Sequence, residues 1–284
     1  MENQPARDAR IHPPLTEADI AAFRASVYSA ARAHPRQLPW RATADPYRIM
    51  VSEIMLQQTQ VERVTAKYTE FIARFPDAAT LAAADLRDVL TIWQGLGYNR
   101  RALALKRAAE SIMSDFGGTL PVNRRELVTL PGIGPYTAGA ILAFAFDLPE
   151  IFIETNIRSV FIHHFFGDRS GIHDRELLPL VEMTLDRCRP REWYNALMDY
   201  GAVLKRHGVN PSRKSAHHLR QSPFAGSNRQ LRSALLREIL AHPGIAIADL
   251  LSLFSGEHDR VAPNLAKMVE EGLIICTEGS YHVP

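Results

Sequence analysis

The chain has little cysteine: two residues in 284, Cys188 and Cys276, far apart. Two thiols cannot build a disulfide framework, nor a zinc site of the usual ligand spacing, and a reducing compartment fits. No stretch approaches the roughly 18 consecutive apolar residues of a membrane span. Residues 1–14 carry Glu2 and Asp8 and no apolar run, so they do not read as a signal peptide. Net charge is also small, +2 from 33 Lys and Arg against 31 Asp and Glu. That balance permits nucleic-acid binding without arguing for it, and only the placement of charge can decide. Alternating strand-like segments are almost absent before residue 270, which speaks against a sheet-based architecture.

What is present is helical periodicity. The chain is 46% hydrophobic and 23% charged, a globular balance, and 284 residues suffice for two domains with a buried core. Residues 15–34 predict a first helix, with Thr16 as N-cap and Glu17 and Asp19 in its first turn. Asp45 and Pro46 open a second, as N-cap and N1, running through Tyr47, Met50, Val51, Ile54, Met55 and Val61. Further amphipathic stretches cover 64–74, 78–84, 86–94, 100–115, 124–129, 156–164, 175–188 and 192–207. Residues 137–146 are apolar nearly all round and predict a buried central helix. Residues 208–228 have loop composition. After them, 228–241, 246–254 and 259–271 predict three helices, and 273–277 with 281–283 a small hairpin, the outline of a winged helix.

The most informative segment is Leu130-Pro131-Gly132-Ile133-Gly134-Pro135-Tyr136-Thr137-Ala138, between two predicted helices. Gly132 and Gly134 allow positive φ and close backbone approach. The amides opening the next helix, Thr137 included, then face outward and make an anion site with the helix dipole. A DNA phosphate is its natural occupant, held without reading sequence. A tight turn that merely needs glycine is the plainer alternative.

This segment resembles the hairpin of the helix-hairpin-helix (HhH-GPD) DNA glycosylase superfamily. Other blocks resemble its MutY-type adenine glycosylases: Leu38-Pro39-Trp40-Arg41, the run from Pro46 through Ser52-Glu53 to Gln57-Gln58-Thr59-Gln60, Trp93-Gln94-Gly95-Leu96-Gly97-Tyr98, and Ala196-Leu197-Met198-Asp199-Tyr200-Gly201-Ala202. The resemblance covers about residues 35 to 206 in order. It implies cleavage of an N-glycosidic bond, which needs a protonated leaving base and a stabilised sugar cation, the work of two carboxyl groups. By resemblance Glu53 is the acid. Its neighbours on the helix, Ile49, Met50 and Leu56, are apolar and should raise its pKa; a surface position is the alternative. The second carboxylate departs from the pattern, which has aspartate: here the segment is Ile153-Glu154-Thr155-Asn156, with Asn156 kept. The extra methylene leaves open an adjusted backbone, a different base or weak catalysis, and Glu154 could simply cap the following helix. Tyr136 stands where bifunctional relatives carry a nucleophilic lysine, so a monofunctional enzyme is expected. Lys106 and Lys205 read as solvated or phosphate-facing.

Gln57 and Gln58 sit where the resemblance puts the wedge that fills the gap left by a flipped base. Tyr98, Asn99, Arg100 and Arg101 are candidates to touch the DNA backbone, or else a solvated helix start. Many relatives hold a [4Fe–4S] cluster with four cysteines after this Gly-Ala-x-x; here Lys205 follows Gly201-Ala202-Val203-Leu204, then come Ser212, Ser215 and Gln221, so no cluster can be ligated. Lys205, Arg206, Arg213, Lys214 and Arg220, with His207, His217 and His218, keep the segment basic, either for phosphate or as a flexible linker. Zinc on His217 and His218 lacks a second ligand pair. No cofactor is expected, with at most a structural monovalent cation at the hairpin. The residues after 227 are too few for the Nudix-like domain with which MutY-type enzymes check for 8-oxoguanine. The would-be recognition helix 259–271 carries Asp259, Arg260, Lys267, Glu270 and Glu271, so packing, a partner or DNA all remain open.

The expectation is an all-α protein. A two-lobed glycosylase core over 1–207 would carry the active site between its lobes, followed by a basic linker over 208–227 and a winged-helix-like domain over 228–284. The expected partner is double-stranded DNA with a mismatched or damaged base, met by a monomer in the cytoplasm, nucleoid-associated if bacterial, and never a membrane. Adenine opposite G or 8-oxoG is the leading substrate. Thymine or uracil opposite G, or a deaminated purine, is the first alternative, and a non-catalytic DNA-binding protein on a glycosylase scaffold the second.

Overall fold

The computed structural model describes residues 15–206, 208, 210–218 and 223–284. The stretch 1–14 and His207, Arg220 and Gln221, named above, lie outside the described residues. Helices dominate, in chain order α1 (Glu17–Ala33), α2 (Pro46–Leu56), α3 (Val61–Arg74), α4 (Ala78–Ala83), α5 (Leu86–Trp93), α6 (Arg100–Asp115), α7 (Arg124–Leu127), α8 (Pro135–Phe146), α9 (Thr155–Phe165), α10 (Asp174–Thr184), α11 (Pro190–Arg206), α12 (Asn228–Ala241), α13 (Ile247–Leu253) and α14 (His258–Glu270). Three short strands, β1 (Ile245–Ala246), β2 (Ile275–Thr277) and β3 (Ser280–His282), complete the tail. The described residues of 1–37 and 147–219 form one unit, and those of 38–146 and 220–284 another. Among the described residues no helix is long and apolar enough to cross a membrane.

In the first unit α1 packs on α11 and α10. Thr16 caps its start as expected, and with Asp19 it forms a capping box. Phe23 lies 5.2 Å from Phe161 and 5.9 Å from Trp193, ring centre to ring centre. Helix α10 ends at Thr184, four residues before the predicted end at 188. Two distant side chains hold that end. Arg24 donates to the carbonyls of Thr184 (2.9 Å) and Leu185 (2.5 Å), and Asp186 accepts from Tyr28 Oη (2.7 Å) and the Cys188 amide (3.1 Å). Part of the expected loop is a packed turn: Pro211–Lys214 forms a short 3-10 helix against α9, and Pro211, Ser212 and Ser215 are buried.

In the second unit α2 and α8 pack together, buried nearly all round. Asp45 caps α2 through the Arg48 amide at 2.9 Å. The helix stops at Leu56, whereas the sequence predicted a run to Val61. Gln57 leaves the helical region with ψ 113°, Gln58 has φ +55°, and Val61 opens α3. Helix α8 starts at Pro135, two residues earlier than predicted.

The tail is winged-helix-like: α12–α14 with an antiparallel sheet of order β1-β3-β2. Strand β1 is two residues long and was not expected. The tail packs in the same unit as α5 and α6. Arg87 donates to the Leu240 carbonyl at 2.9 Å. Glu271, its side chain 10% exposed, pairs with Arg232 and lies 3.8 Å from Arg100. Arg260, one of the residues of the would-be recognition helix, is engaged by Asn228 and Glu257.

Candidate active site

Glu53 sits in the middle of α2, only 5% exposed among Met50, Ile54 and Ser52, which are fully buried. The Tyr136 hydroxyl, from the first turn of α8, donates to Glu53 Oε2 at 3.1 Å. A carboxyl group with few water contacts and a phenol beside it can hold a proton for a base presented to it. The surface alternative for Glu53 is thereby overturned.

The hairpin adjoins this pair. Gly132 has φ +81°, and a Cβ there would lie 3.0 Å from Ala104 Cβ, so both its conformation and its neighbour require glycine. Gly134 lacks a positive φ; open space lies above it, as close approach by a ligand backbone requires. Thr137 is 2% exposed, its hydroxyl turned inward. Gln57 Nε2 donates to the Gly132 carbonyl and to Thr137 Oγ1, both at 3.2 Å, and so ties the end of α2 to the hairpin. Gln58 is exposed in the left-handed region. The two glutamines therefore divide: one is a strut and the other projects.

Arg101 was expected on DNA, and the structure turns it inward. Nη1 donates to the carbonyls of Ile54 (2.9 Å), Met55 (2.9 Å) and Gln57 (2.6 Å), and Nη2 to Thr59 Oγ1 (2.9 Å), Leu96 O (3.3 Å) and Gly97 O (3.0 Å). Its guanidinium caps the α2 carbonyls and closes the helix before Gln58. Burial pulls its pKa down to about 10, with Tyr98 acting the other way, and it stays charged at neutral pH. Tyr98 accepts from Arg229 Nη1 at 2.9 Å, between the Arg101 and Arg229 guanidinium groups. Arg100 is exposed and leans towards Glu271. Lys106 is also not solvated: it donates to the Ala82 carbonyl (2.9 Å) and pairs with Glu110 (2.6 Å).

The other predicted residues belong to the first unit. Glu154 is the N-cap of α9, Oε1 accepting from the amides of Asn156 (2.5 Å) and Ile157 (2.8 Å). Asn156 Nδ2 donates to Glu154 Oε2 at 3.3 Å. Capping is therefore part of what Glu154 does, by folding its longer side chain back on its own helix. Lys205 does not project as expected: its Nζ donates to Asn156 Oδ1 at 2.8 Å. Arg206 is exposed at the end of α11. Gly201, quoted above only for its resemblance, has a role of its own. A Cβ there would meet the Asn156 carbonyl oxygen at 2.4 Å, so α11 and α9 touch backbone to backbone. The inward turns of Arg101 and Lys205 carry little local sequence signal, since the oxygens at the end of α2 that Arg101 binds and the Asn156 oxygen that Lys205 binds lie more than 40 residues away.

The donor set does not fit a four-thiolate iron–sulfur cluster. The chain supplies two thiols, both exposed, one in each unit, and Ser212 and Ser215 are buried hydroxyls. Among the described residues no group of three or more His, Cys, Asp or Glu side chains converges as a metal cage would.

Residues 51–188 match the profile of the HhH-GPD superfamily base excision DNA repair proteins. The chain is 38% identical over 173 residues to the adenine DNA glycosylase of Buchnera aphidicola, covering 60% of this chain and 48% of that protein. It is 35% identical over 229 residues to the adenine DNA glycosylase of Mycolicibacterium smegmatis, covering 74% of this chain and 77% of that protein. Among solved structures, a thermostable thymine-DNA glycosylase matches with a TM-score of 0.60 at 28% identity, over 65% of this chain and 86% of the other. The chain spans about half the length, or less, of the Buchnera and mammalian relatives it matches. With its helical fold, its hairpin and these matches, the chain belongs to the HhH-GPD superfamily of base excision DNA repair proteins and to its adenine DNA glycosylase family.

Proposed function

We propose that this protein is a monofunctional DNA glycosylase that hydrolyses the N-glycosidic bond of a base flipped out of the duplex, with adenine opposite G or 8-oxoG as its substrate. The observation that carries this reading is the Glu53–Tyr136 pair, a nearly buried carboxyl group next to the Gly132–Gly134 hairpin. Glu53 gives its proton to a ring nitrogen of the base as the C1′–N bond breaks and the electron pair leaves with the base. Stabilising the resulting sugar cation is the role assigned to the negative charge of Glu154. Water then adds its oxygen to C1′, and its proton passes to a carboxylate. Tyr136 carries no amine, so no Schiff base forms at that position and the strand stays intact.

Gln58 is the wedge, because it is exposed and held left-handed, while Gln57 braces it. Gly132, Gly134 and the first turn of α8 take a phosphate. Arg100, Arg206 and the ring of Tyr98 supply further contacts. The protein works as a cytoplasmic monomer on duplex DNA and needs no cofactor, with at most a monovalent cation at the hairpin. Adenine rests on the similarity to adenine DNA glycosylases. Thymine or uracil opposite guanine is the second reading, favoured by the thymine-DNA glycosylase match.

Single-turnover excision on labelled A:8-oxoG, A:G, T:G, U:G and hypoxanthine:T duplexes tests this, with and without alkali. Strand scission only after alkali, fastest on the adenine duplexes, is expected. A best rate on T:G or U:G would replace the substrate. Tight binding without excision anywhere would leave a DNA-binding protein and sink the enzymatic reading.

A further inference from the structure

Helices α9 and α11 approach so closely at Gly201 that no side chain fits between them. One turn later on the same face of α11 comes Lys205. Its Nζ reaches Asn156 Oδ1 at 2.8 Å. An ammonium group only donates, so the amide oxygen of Asn156 must face the lysine and its NH2 must face away. That NH2 points at Glu154 Oε2, 3.3 Å off, while Oε1 takes the amides of Asn156 and Ile157. The three side chains thus form a directed chain from Lys205 through Asn156 to Glu154, and the direction is set at the lysine end. Met198 Sδ, 3.9 Å from Asn156 Nδ2, flanks it.

Burial works against the charge on Lys205 and lowers its pKa; Glu154 acts in the opposite direction, and Arg158 and Arg36 add to the lowering. A lysine meant only for a phosphate would gain nothing from this enclosure. Glutamate has one more rotatable bond than the aspartate of the family pattern, and a second anchor on Oε2 restrains it.

We propose that Lys205 is a positioning residue: by fixing the Asn156 amide it holds the Glu154 carboxylate in place for the sugar cation. This rests on the glycosylase reading above. A displacement of about 1 Å at a reacting group can cost on the order of a hundredfold in rate.

The test is Lys205→Met, which keeps the length of the stem, with Asn156→Ala and the double variant, on the best duplex. The positioning role predicts a single-turnover rate lowered roughly tenfold or more, with duplex Kd changed less than about twofold. It also predicts that the double variant is no slower than Asn156→Ala alone. The side-chain amide resonances of Asn156 should move in 15N spectra of Lys205→Met, whatever the enzyme excises. Should the methionine variant lose its cooperative thermal transition, Lys205→Gln, which keeps a donor, is read for an intermediate rate at unchanged Kd. A weaker Kd with a salt slope shallower by about 1 and an unchanged rate would make Lys205 a phosphate contact and overturn the proposal. An unchanged rate and unchanged resonances would overturn it as well. Absence of excision by the wild type on every duplex would instead remove the glycosylase reading, with the amide resonances still reporting on the tether.

Discussion

The Tyr136 hydroxyl donates to Glu53 Oε2 at 3.1 Å and so joins the first turn of α8 to the middle of α2. Two expectations follow. Glu53→Gln should lower single-turnover excision roughly a hundredfold or more while duplex affinity holds, because it removes the acid and keeps the shape. Tyr136→Phe should cost far less, on the order of tenfold, the worth of about one hydrogen bond. Equal losses from both would mean that the phenol takes part in proton transfer.

Arg101 should be intolerant of lysine. Six carbonyl and hydroxyl oxygens share its two terminal nitrogens, and an ammonium group has three donors in a different geometry. Arg101→Lys is expected to destabilise the protein by about 2–3 kcal/mol. The Gln57–Gln58 turn should loosen with it. Urea unfolding measures the first, and amide exchange at Thr59, whose N–H bonds the Leu56 carbonyl, the second.

Gly201→Ala places a methyl group 2.4 Å from the Asn156 oxygen and 2.6 Å from its Cβ. Backbone must move to admit it. A loss of about 3 kcal/mol is expected, at the upper end for overpacking, with excision falling because α9 carries Glu154. A thermal midpoint within a degree of wild type would show that the helices separate easily.

Asp174 gives a pH dependence with a definite sign. Burial alone would raise its pKa, but the Arg158 guanidinium, bonded to both of its oxygens at 2.8 and 2.7 Å, together with His217 and His173, outweighs this and holds it low. The pair's contribution is therefore complete above the unfolded value of about 3.9 and disappears as pH falls through the lower folded value. Asp174→Asn should cost about 1 kcal/mol at pH 7, since the pair is partly solvated. At pH 3 the gap should narrow. Urea midpoints at pH 7, 5 and 3 check this.

Local signals carried much of the fold. Thr16 and Asp45 cap where their sequences indicate, and Asn228–Ala241 is a helix over its predicted span. The hairpin was visible as a motif, and Glu53 as a carboxylate in apolar company. What stayed hidden depends on partners distant in sequence. The end of α2 is set by Arg101, 44 residues beyond Gln57, and the end of α10 by Arg24, 160 residues before Thr184. Lys205 looks like any surface lysine until Asn156, 49 residues away, is brought beneath it. Strand β1 exists because β3 pairs with it, two residues being too few to show a period.

Each unit is assembled from two separated stretches of chain, and this bears on synthesis. The hydroxyl of Tyr28 meets its partner Asp186 only after 158 further residues have been made. At roughly 5–20 residues per second α1 leaves the ribosome and waits on the order of ten seconds or more before α10 and α11 can cover Phe23 and Val27. Helices α2–α8 are contiguous and wait only for the tail that completes their unit. The nascent chain therefore carries a partly built helical body as well as an unsheltered amphipathic helix, which is the form in which chaperones or stray chains would meet it.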